Sequence, residues 1–487
     1  MVFKGRTVAV IAIVAIVFSS LGTALIVGKG GLIDQWEAGT LLSGDPSQDA
    51  SFEEHADKLR QAYAVIKGSY VHEVSDQKLI DGAIQGMVSA LGDPYSAYMT
   101  PKQANQFKED LQSSFTGIGA EVTIKNGRLT IISPIKGSPA EKAGVRPDDQ
   151  VLKVNGQSLE GLDVNTAVGK IRGPKGSKAN LEIIRPGVRE PLHITIVRDE
   201  ISLHTVEATM LPDKIGRITV TQFSENTAKD FAGGLKKLEG EGMKGLVIDV
   251  RGNPGGLLPV VLEMCDQLVP GKKAVMIMED KEGNRKTYTS KLDQAKPYPV
   301  TVLIDKGSAS ASEILAAALR ESAGYPLVGE TSFGKGTVQT TEEFDDGSNI
   351  KLTMAKWLTP KGNWVHQQGG TKGIKPDVKV PLPSYMHAIP PQAEKPLVRD
   401  QNSTEIKHMQ TILDALGYNP GRQDGYFDER TEQAVKAFQK TKSLPQTGQL
   451  DQKSAEVLQT AFIDFVRDPK NDVQLQVAVE LLKKKAK

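Results

Sequence analysis

The chain has 487 residues, with 60 Lys and Arg against 59 Asp and Glu, so its formal net charge is +1. That balance excludes the strongly basic surface typical of nucleic-acid-binding proteins, and the length is enough for about three domains. Cys265 is the single cysteine, which excludes an internal disulfide and a four-cysteine metal site. Stability must therefore come from apolar cores.

The N-terminus predicts a membrane anchor. Lys4 and Arg6 precede an uncharged stretch over residues 7–28, which would span roughly 33 Å as a helix, enough to cross the hydrocarbon core of a bilayer. A cleaved signal peptide, processed near residues 19–22, is the alternative. We expect residues 1–28 to stay as an anchor in the cell membrane, and the positive-inside rule then places the remaining chain outside the cytoplasm, on the cell-wall side.

Changes in periodicity and composition divide the rest of the chain into segments. The N-terminal helical segment is too short to fold alone, so it must pack on the main domain or on a second copy of the chain. The predicted order is a spacer (29–50), a helical segment for capping or dimerisation (51–112), a β-rich domain (113–198), an α/β core (199–382), a linker (383–403), a small helical domain (404–462) and a C-terminal helix (463–487).

The β-rich segment begins with a glycine loop that runs into a strand over residues 115–122. A short capped helix over residues 138–144 follows along the chain, and then an Asn155-Gly156 turn. This order resembles a PDZ domain, in which the glycine loop offers N–H groups to the terminal carboxylate of a peptide that adds as a strand. The resemblance implies that the peptide-binding donors lie on Gly117, Ile118 and Gly119.

Strand-like and helix-like runs alternate over residues 201–380, which favours a layered α/β domain. Within it, the strand-like run 245–250 enters a glycine-rich loop that contains Gly255 and Gly256. The spacing of a phosphate-binding loop or of a dinucleotide fingerprint is missing, so we reject a nucleotide site. The alternative use of such a loop is to point an N–H group at an oxyanion.

Residues 299–340 contain the candidate catalytic residues. A strand-like run over residues 300–304 leads into a turn rich in small residues and then into a helix predicted over residues 311–323. A hydroxyl at such a turn lies beside free backbone N–H groups and the positive end of the helix dipole, where an oxyanion would be stabilised. The candidate serines are Ser308, Ser310 and Ser312, and helix capping is the alternative role for each.

A serine hydroxyl needs a base to accept its proton. His366 is the one histidine in the core that follows these serines, so a Ser310–His366–Asp triad is the generic option, although no GxSxG motif supports it. A lysine can replace histidine if burial keeps its amine neutral near pH 7. Lys335 stands between two glycines and near Phe333 and Val338, an apolar setting that fits this requirement; an ordinary loop lysine is the alternative.

Two runs, GSASASE over 307–313 and GETSFGKGTVQ over 329–339, resemble the carboxy-terminal processing peptidases, which are tail-specific Ser/Lys proteases. The runs LGDPYSAYM over 91–99 and DVRGNPGG over 249–256 strengthen the resemblance. It implies a helical segment, an inserted PDZ domain and a crotonase-like (ββα-spiral) protease core across residues 51–380. The Ser/Lys mechanism that this resemblance implies needs no metal or cofactor.

The resemblance also implies the role of each site residue. The family's nucleophile precedes its lysine by 25 residues, a spacing that selects Ser310 and pairs it with Lys335. Gln339, four residues after the lysine, is the third member. The oxyanion donors are the N–H of Ala311 and that of Gly256 or Gly255, with Gly256 preferred.

Arg172 ends the predicted helix of the PDZ domain, in the run Ile171-Arg172-Gly173. The family's PDZ domain would select protein substrates by their free C-terminus, and Arg172 would then bridge to the core or reach the peptide carboxylate and so gate the site. A solvated cation that matches the helix dipole is the alternative.

The small helical domain places two apolar stripes around the turn Asp424-Gly425-Tyr426-Phe427-Asp428. This pattern resembles the peptidoglycan-binding-like domains of cell-wall enzymes, which implies glycan binding, and docking of a partner is the alternative. A homodimer through the N-terminal helices is implied by the family resemblance alone.

Three functions follow: a membrane-anchored serine endopeptidase, a catalytically silent wall-bound scaffold that binds peptides, and an acyl-CoA enzyme on a crotonase-like fold. The intact Ser310, Lys335 and Gln339 favour the endopeptidase over the scaffold. The predicted anchor and PDZ domain argue against the acyl-CoA enzyme.

Overall fold

The computed structural model describes residues 50–485 except residues 113, 126, 136, 203 and 394. The predicted anchor over residues 1–28, and the predicted spacer up to residue 49, lie outside this range. Among the described residues, no helix combines the length and the apolar character needed to span a bilayer.

The N-terminal segment consists of helices α1 (Ala50–Ser69) and α2 (Asp76–Ser89), strand β1 (Ala97–Met99) and helix α3 (Pro101–Leu111). Ser75 begins α2 as its N-cap, because its hydroxyl accepts the N–H of Lys78 at 3.3 Å. Strand β1 pairs antiparallel with a strand of the α/β core, with Tyr98 opposite Ile350. Strand β1 therefore joins the N-terminal segment to the core sheet.

The β-rich domain is organised around an antiparallel sheet with a buried apolar face. Leu129, Leu181 and Ile183 lie at its centre and are fully buried. The sheet order is β3-β4-β5-β7-β8, with β6 beside β5, while β2 and β9 form a separate pair. The elements are β2 (Ser114–Gly117), β3 (Ala120–Lys125), β4 (Arg128–Pro134), α4 (Pro139–Lys142), β5 (Gln150–Val154), β6 (Gln157–Ser158), α5 (Val164–Ile171), β7 (Lys178–Ile184), β8 (Leu192–Val197) and β9 (Asp199–Ser202).

The α/β core contains a six-stranded sheet whose order is β10-β11-β12-β15-β16-β19. Only the β10–β11 pair is antiparallel, and the buried strands read as continuous apolar runs, as expected for parallel strands covered on both faces. The elements are β10 (Val206–Leu211), β11 (Ile215–Val220), α6 (Thr227–Gly240), β12 (Gly245–Asp249), α7 (Leu258–Cys265), β15 (Val300–Ile304), β16 (Leu327–Gly329) and β19 (Val378–Lys379).

A second sheet of the core has the order β1-β18-β13-β14, with β17 also paired to β18. Between β15 and β16 the chain forms α8, in which every residue from Ala311 to Leu319 is buried. The helix belongs to the same apolar cluster as Val302 of β15 and Met276 of β13, so it lies in the core between the two sheets. The elements are β13 (Ala274–Glu279), β14 (Arg285–Thr289), α8 (Ala311–Glu321), β17 (Thr337–Glu343) and β18 (Asn349–Leu358).

The small helical domain contains α9 (Thr404–Ala415), α10 (Glu429–Thr441) and α11 (Gln452–Arg467) around its own apolar core. Phe427 of the predicted turn and Phe438 of α10 are fully buried in that core. The multi-domain α/β architecture expected from the sequence is confirmed. The crotonase-like description of the core and the predicted domain boundaries stay predictions.

The end of the chain differs from the sequence expectation of a single helix over 463–487. Helix α11 continues to Arg467, a turn over Pro469–Asn471 interrupts it, and α12 (Val473–Lys485) follows. Proline at the turn cannot continue the helical hydrogen bonding. Helix α12 packs on the parallel sheet, where Leu475 and Leu482 join a cluster with Val247.

An ion-pair network fastens the start of α12 to the core. Arg251 forms ion pairs with Asp249 at 2.7 Å and with Asp472 at 2.6 Å, and all three side chains are mostly buried. The Gln474 side chain donates to the carbonyl of Val380 at 2.7 Å. The small helical domain is therefore inserted between two parts of the core, because the chain returns to the core after leaving that domain.

Replacing Leu482 by alanine is expected to destabilise the core by about 2–5 kcal/mol, the usual cost of removing a buried leucine. Leu482 is 1% exposed against the sheet, whereas Val473, at the start of the same helix, is 42% exposed. Urea unfolding followed by tryptophan fluorescence reports on the core, because Trp357 is fully buried in it. The control, Val473→Ala, should leave the midpoint nearly unchanged, and an equal response of both variants would contradict the packing described.

Candidate active site

The three candidate serines differ in what their hydroxyl groups do. Ser308 Oγ donates to the carbonyl of Val250 at 2.8 Å, and Ser312 Oγ donates to the carbonyl of Asn253 at 2.8 Å. Both hydroxyls tie the turn to the neighbouring loop. Ser310 Oγ, in contrast, is buried and has no hydrogen-bond partner within the described residues. The structure thus separates Ser310 from the other two by its unused hydroxyl.

The backbone of Ser310 is strained. The residue has φ 53° and ψ −113° at the junction of the turn and α8, a conformation that costs a non-glycine residue on the order of 1–3 kcal/mol. Such strain persists only where the surroundings fix it, and here the Ser310 N–H donates to Glu313 Oε2 at 2.9 Å. The strained backbone and this hydrogen bond set the position of the serine at the start of the helix.

Glu313 is a buried carboxylate that sequence reasoning missed. Its Oε2 accepts the N–H groups of Ser310 and Lys335, each at 2.9 Å, and its Oε1 accepts the N–H of Gly334 at 2.7 Å and the hydroxyl of Ser332. Because one oxygen binds both N–H groups, the backbone nitrogens of Ser310 and Lys335 lie within about 6 Å of each other. Burial raises the pKa of Glu313, and the four donors oppose that shift. The Ser-x-x-Glu spacing of a capping box was the signal available in the sequence.

Lys335 is 1% exposed. Burial, with a smaller contribution from the charge of Lys351, holds the pKa of Lys335 well below its ordinary value, while Glu313 and Asp93 oppose the shift. Its Nζ lies 4.9 Å from the centre of the Tyr95 ring. The apolar setting expected from the sequence is therefore present, and it favours the neutral amine that a general base requires.

Gln339 is fully buried on β17. Its Nε2 donates to the hydroxyls of Thr337 and Thr353 at 2.9 and 3.0 Å, so the side chain has a fixed direction. Its Oε1 is buried and has no hydrogen-bond partner within the described residues. An acceptor held in this way is suited to orient an amine.

The glycine loop after β12 lies directly against the Ser310 turn. A Cβ added to Gly255 would lie 2.9 Å from the Cβ of Ser310, so only glycine allows this approach. The N–H of Gly255 donates to Asn253 Oδ1 at 2.8 Å, which favours Gly256 as the oxyanion donor. Ala311, the other predicted donor, is the first residue of α8 and fully buried.

His366 does not form the generic triad. Its Nδ1 accepts the N–H of Gly336 at 3.2 Å, and its ring stacks on Trp364 with 4.8 Å between centroids. Within the described residues, no hydrogen bond joins His366 to Ser310 or to a carboxylate. Because Nδ1 accepts an N–H, it does not donate to a carboxylate as a triad histidine must, so the structure does not assemble the Ser310–His366–Asp arrangement.

The loop predicted to bind a peptide carboxylate lies at the end of β2. Gly119 has φ 76°, and a Cβ there would lie 2.4 Å from the Cβ of Ser138, so the loop requires glycine at this position. The carbonyl of Ile118 accepts the N–H of Ala140 at 2.8 Å, which fastens the loop to α4. Gly117 pairs with Asp199 of β9.

Arg172 follows α5 and lies beside this loop. Its Nη1 donates to Glu109 Oε2 of α3 at 2.6 Å, and its guanidinium lies 5.0 Å from the centre of the Phe115 ring. A Cβ on Gly117 would lie 3.9 Å from the Arg172 Cγ. Arg172 thus bridges the β-rich domain to helix α3 of the N-terminal segment.

Four family models match parts of the chain. Residues 214–380 match peptidase family S41, and residues 130–185 match a PDZ domain. Residues 32–103 match the N-terminal domain of the activating protease CtpB, and residues 402–458 match a putative peptidoglycan binding domain.

Two curated relatives are similar over almost the whole chain. The carboxy-terminal processing protease CtpB of Bacillus subtilis (strain 168) is 48% identical over 437 residues, which cover 89% of this chain and 90% of the relative. The carboxy-terminal processing protease CtpA of the same organism is 44% identical over 475 residues, 98% of each chain. Among solved structures, a photosystem II D1 C-terminal processing protease aligns at 27% identity with a TM-score of 0.41, covering 67% of this chain and 86% of that one.

Proposed function

Because the chain belongs to the carboxy-terminal processing serine proteases of peptidase family S41 and carries a PDZ domain, we propose that it cleaves peptide bonds with Ser310, Lys335 and Gln339. The PDZ domain recognises the free C-terminus of the protein substrate. The family resemblance predicted from the sequence motifs is confirmed by the relatives. The specific catalytic residues are the part that is proposed.

The observation that carries the proposal is the shared Glu313 oxygen. It accepts the backbone N–H groups of both Ser310 and Lys335, so the residue with the unused buried hydroxyl and the residue with the buried amine are held next to each other. A serine nucleophile with a neutral lysine as base is the chemistry that this pair supports. A Ser-His-Asp triad is disfavoured, because His366 accepts the N–H of Gly336 and stacks on Trp364.

In the proposed reaction, neutral Lys335 accepts the proton of Ser310 as Oγ bonds to the substrate's carbonyl carbon. The N–H groups of Ala311 and of Gly256, or Gly255, stabilise the oxyanion, and one such donor is worth about 3–4 kcal/mol in proteases. The C–N bond then breaks, and Lys335 returns the proton to the leaving amine. Lys335 next takes a proton from a water as the water oxygen bonds to the acyl carbon. The bond from that carbon to Ser310 Oγ then breaks, and Lys335 returns the proton to Oγ, while Gln339 orients the amine throughout.

The test is cleavage of an unstructured protein that ends in apolar residues by the purified full-length chain. The same substrate with an amidated C-terminus is the matched control, because it lacks the carboxylate that a PDZ loop binds. We expect cleavage of the free-ended substrate, slower cleavage of the amidated one and none by Ser310→Ala. Cleavage that survives in Ser310→Ala would refute the assignment of the nucleophile. An inactive wild-type chain that still binds the peptide would favour the scaffold function.

Arg172→Ala is expected to change both peptide affinity and turnover, because its guanidinium joins the loop at Gly117 to helix α3 through Glu109. Peptide affinity is measured by fluorescence anisotropy with a labelled C-terminal peptide, and turnover with the cleavable substrate. Lys175→Ala is the control, since that side chain is 64% exposed and binds Asp199 at the surface. If Arg172→Ala left affinity and turnover unchanged, the proposed gating role would be wrong.

The location and assembly of the protein are also proposals. A membrane anchor over residues 1–28 would hold the protease at the cell membrane, outside the cytoplasm. The exposed apolar side chains of helices α1 and α2 support a homodimer through this segment. These side chains are Leu59, Val65, Ile66, Ile80 and Met87. Membrane fractionation and mass measurement in solution test the two proposals separately.

The match to a peptidoglycan binding domain supports the cell wall as a partner of residues 402–458. Co-sedimentation of the full-length protein with purified peptidoglycan tests this proposal. Protein that remains in the supernatant would favour docking of a protein partner instead.

A further inference from the structure

The turn between α2 and β1 lies over the amine of Lys335, although it belongs to the N-terminal segment. Tyr95 in this turn is 8% exposed. Its ring centre lies 4.9 Å from Lys335 Nζ, and the Tyr95 and His366 rings meet in an edge contact with 6.1 Å between centroids. The turn is part of the run over 91–99 whose role the proposed reaction does not explain.

Two sets of hydrogen bonds hold the turn in place. Asp93 accepts the N–H of Tyr95 at 3.0 Å and the hydroxyl of Ser96 at 2.6 Å, which fixes the turn internally. Ser96 Oγ then accepts the N–H of Thr353 at 3.1 Å. Because the hydroxyl of Thr353 accepts the Gln339 amide, the turn and Gln339 are fastened to the same residue of β18.

The charges that influence Lys335 come from several elements. Glu313 of α8 and Asp93 of the turn favour the ammonium form, whereas Lys351 of β18 disfavours it. The partly buried His366 contacts the Tyr95 ring, and burial, helped by the charge of Lys335, lowers the pKa of His366. Lys351 is itself buried and lies 5.2 Å from the Phe107 ring centre of α3. Since two carboxylates favour the charged amine, exclusion of water must be the larger influence that lowers the pKa of Lys335.

We propose that Tyr95 is a positioning residue for Lys335, supplied by the N-terminal segment to close the lysine's pocket. Its ring excludes water from the resting amine. The same ring face stabilises the ammonium that forms when Lys335 accepts a proton, since a cation over an aromatic face is favourable. This inference rests on the proposed role of Lys335 as the base, and it makes the N-terminal segment part of the active site.

Three substitutions separate the two effects of the ring. Tyr95→Phe keeps the ring and should keep activity within about twofold of wild type. Tyr95→Leu keeps most of the volume but removes the aromatic face that stabilises the ammonium, so the pH at half-maximal kcat/KM should fall slightly while the plateau activity falls a few-fold. Tyr95→Ala admits water, so the pH midpoint should rise by about one unit or more toward the ordinary lysine value near 10.4. Activity at neutral pH should then fall about tenfold per unit and recover at higher pH.

The measurement is kcat/KM against pH for the full-length protein, with Tyr70→Ala as the control, because Tyr70 is 58% exposed on the same segment. In parallel, the wild-type Lys335 side chain is titrated by NMR with 13C-labelled lysine and assigned with Lys335→Arg. A low wild-type midpoint that Tyr95→Ala and Tyr95→Leu both leave unchanged, with unchanged activity, would overturn the role of Tyr95. A wild-type Lys335 that titrates near 10.4 would instead overturn the proposed base.

Discussion

Replacing Lys335 by alanine is expected to lower kcat by about 10²–10⁴-fold, the range that a positioned general base contributes. The Ser310 hydroxyl would keep its place, because Glu313 holds the Ser310 N–H independently of the lysine side chain. The measurement is turnover of the peptide substrate at saturation. Lys306→Ala is the matched control, since that side chain is 76% exposed and forms a long ion pair with Glu330 at 3.7 Å.

The proposed role of Lys335 also predicts the direction in which kcat/KM changes with pH. Only the neutral amine of Lys335 can accept a proton, and burial lowers its pKa. As pH rises through that lowered pKa the neutral fraction increases, so kcat/KM should rise and level off well below the ordinary lysine value near 10.4. A rise centred near 10.4, or a similar profile in Lys335→Ala, would contradict the role of Lys335.

Replacing Glu313 by alanine is expected to abolish measurable cleavage and to destabilise the core by about 3 kcal/mol or more. The change leaves the buried N–H groups of Ser310, Gly334 and Lys335 without their acceptor, and each unsatisfied buried donor costs about 1–3 kcal/mol. Thermal unfolding and turnover are measured together.

Glu313→Gln removes the negative charge of the side chain but keeps its shape, and so tests the two contributions separately. The amide has one acceptor oxygen instead of two, so some N–H groups would face an NH₂ group, and we expect an intermediate loss of both stability and activity. Glu321→Gln is the control, because this partly exposed side chain lies at the C-terminal end of the same helix and accepts the N–H of Lys361 at 2.8 Å. Wild-type turnover in Glu313→Gln would show that this carboxylate does not organise the site.

The sequence predicted the residues that lie in distinctive local patterns. Ser310 and Lys335 were identified because glycines and small residues flank them and because a family motif fixes their spacing. The PDZ-like order of strands and turns was recognised for the same reason. In these stretches the local backbone requirement, such as the positive φ of Gly119, restricts the residue type, so the chemistry can be read from neighbours in sequence.

Features that depend on distant contacts could not be predicted in this way. No role was predicted for Glu313, because its bonds to Gly334 and Lys335 form only after β16 returns the chain to the turn. Tyr95 meets a lysine that lies 240 positions later in the chain. The amphipathic pattern of α12 predicted a helix but did not identify the sheet that it covers, and Pro469 as a break was overlooked.

The central claim is that Lys335 activates Ser310, and pH-dependent labelling of the serine tests it most directly. The full-length protein is treated with a fluorophosphonate probe, and the modified residue is mapped by mass spectrometry from pH 5 to 11. The structure predicts labelling of Ser310 alone, with a rate that rises with pH to a plateau well below 10.4 and falls at least 100-fold in Lys335→Ala. Labelling of another serine, or an unchanged rate and pH profile in Lys335→Ala, would contradict the claim.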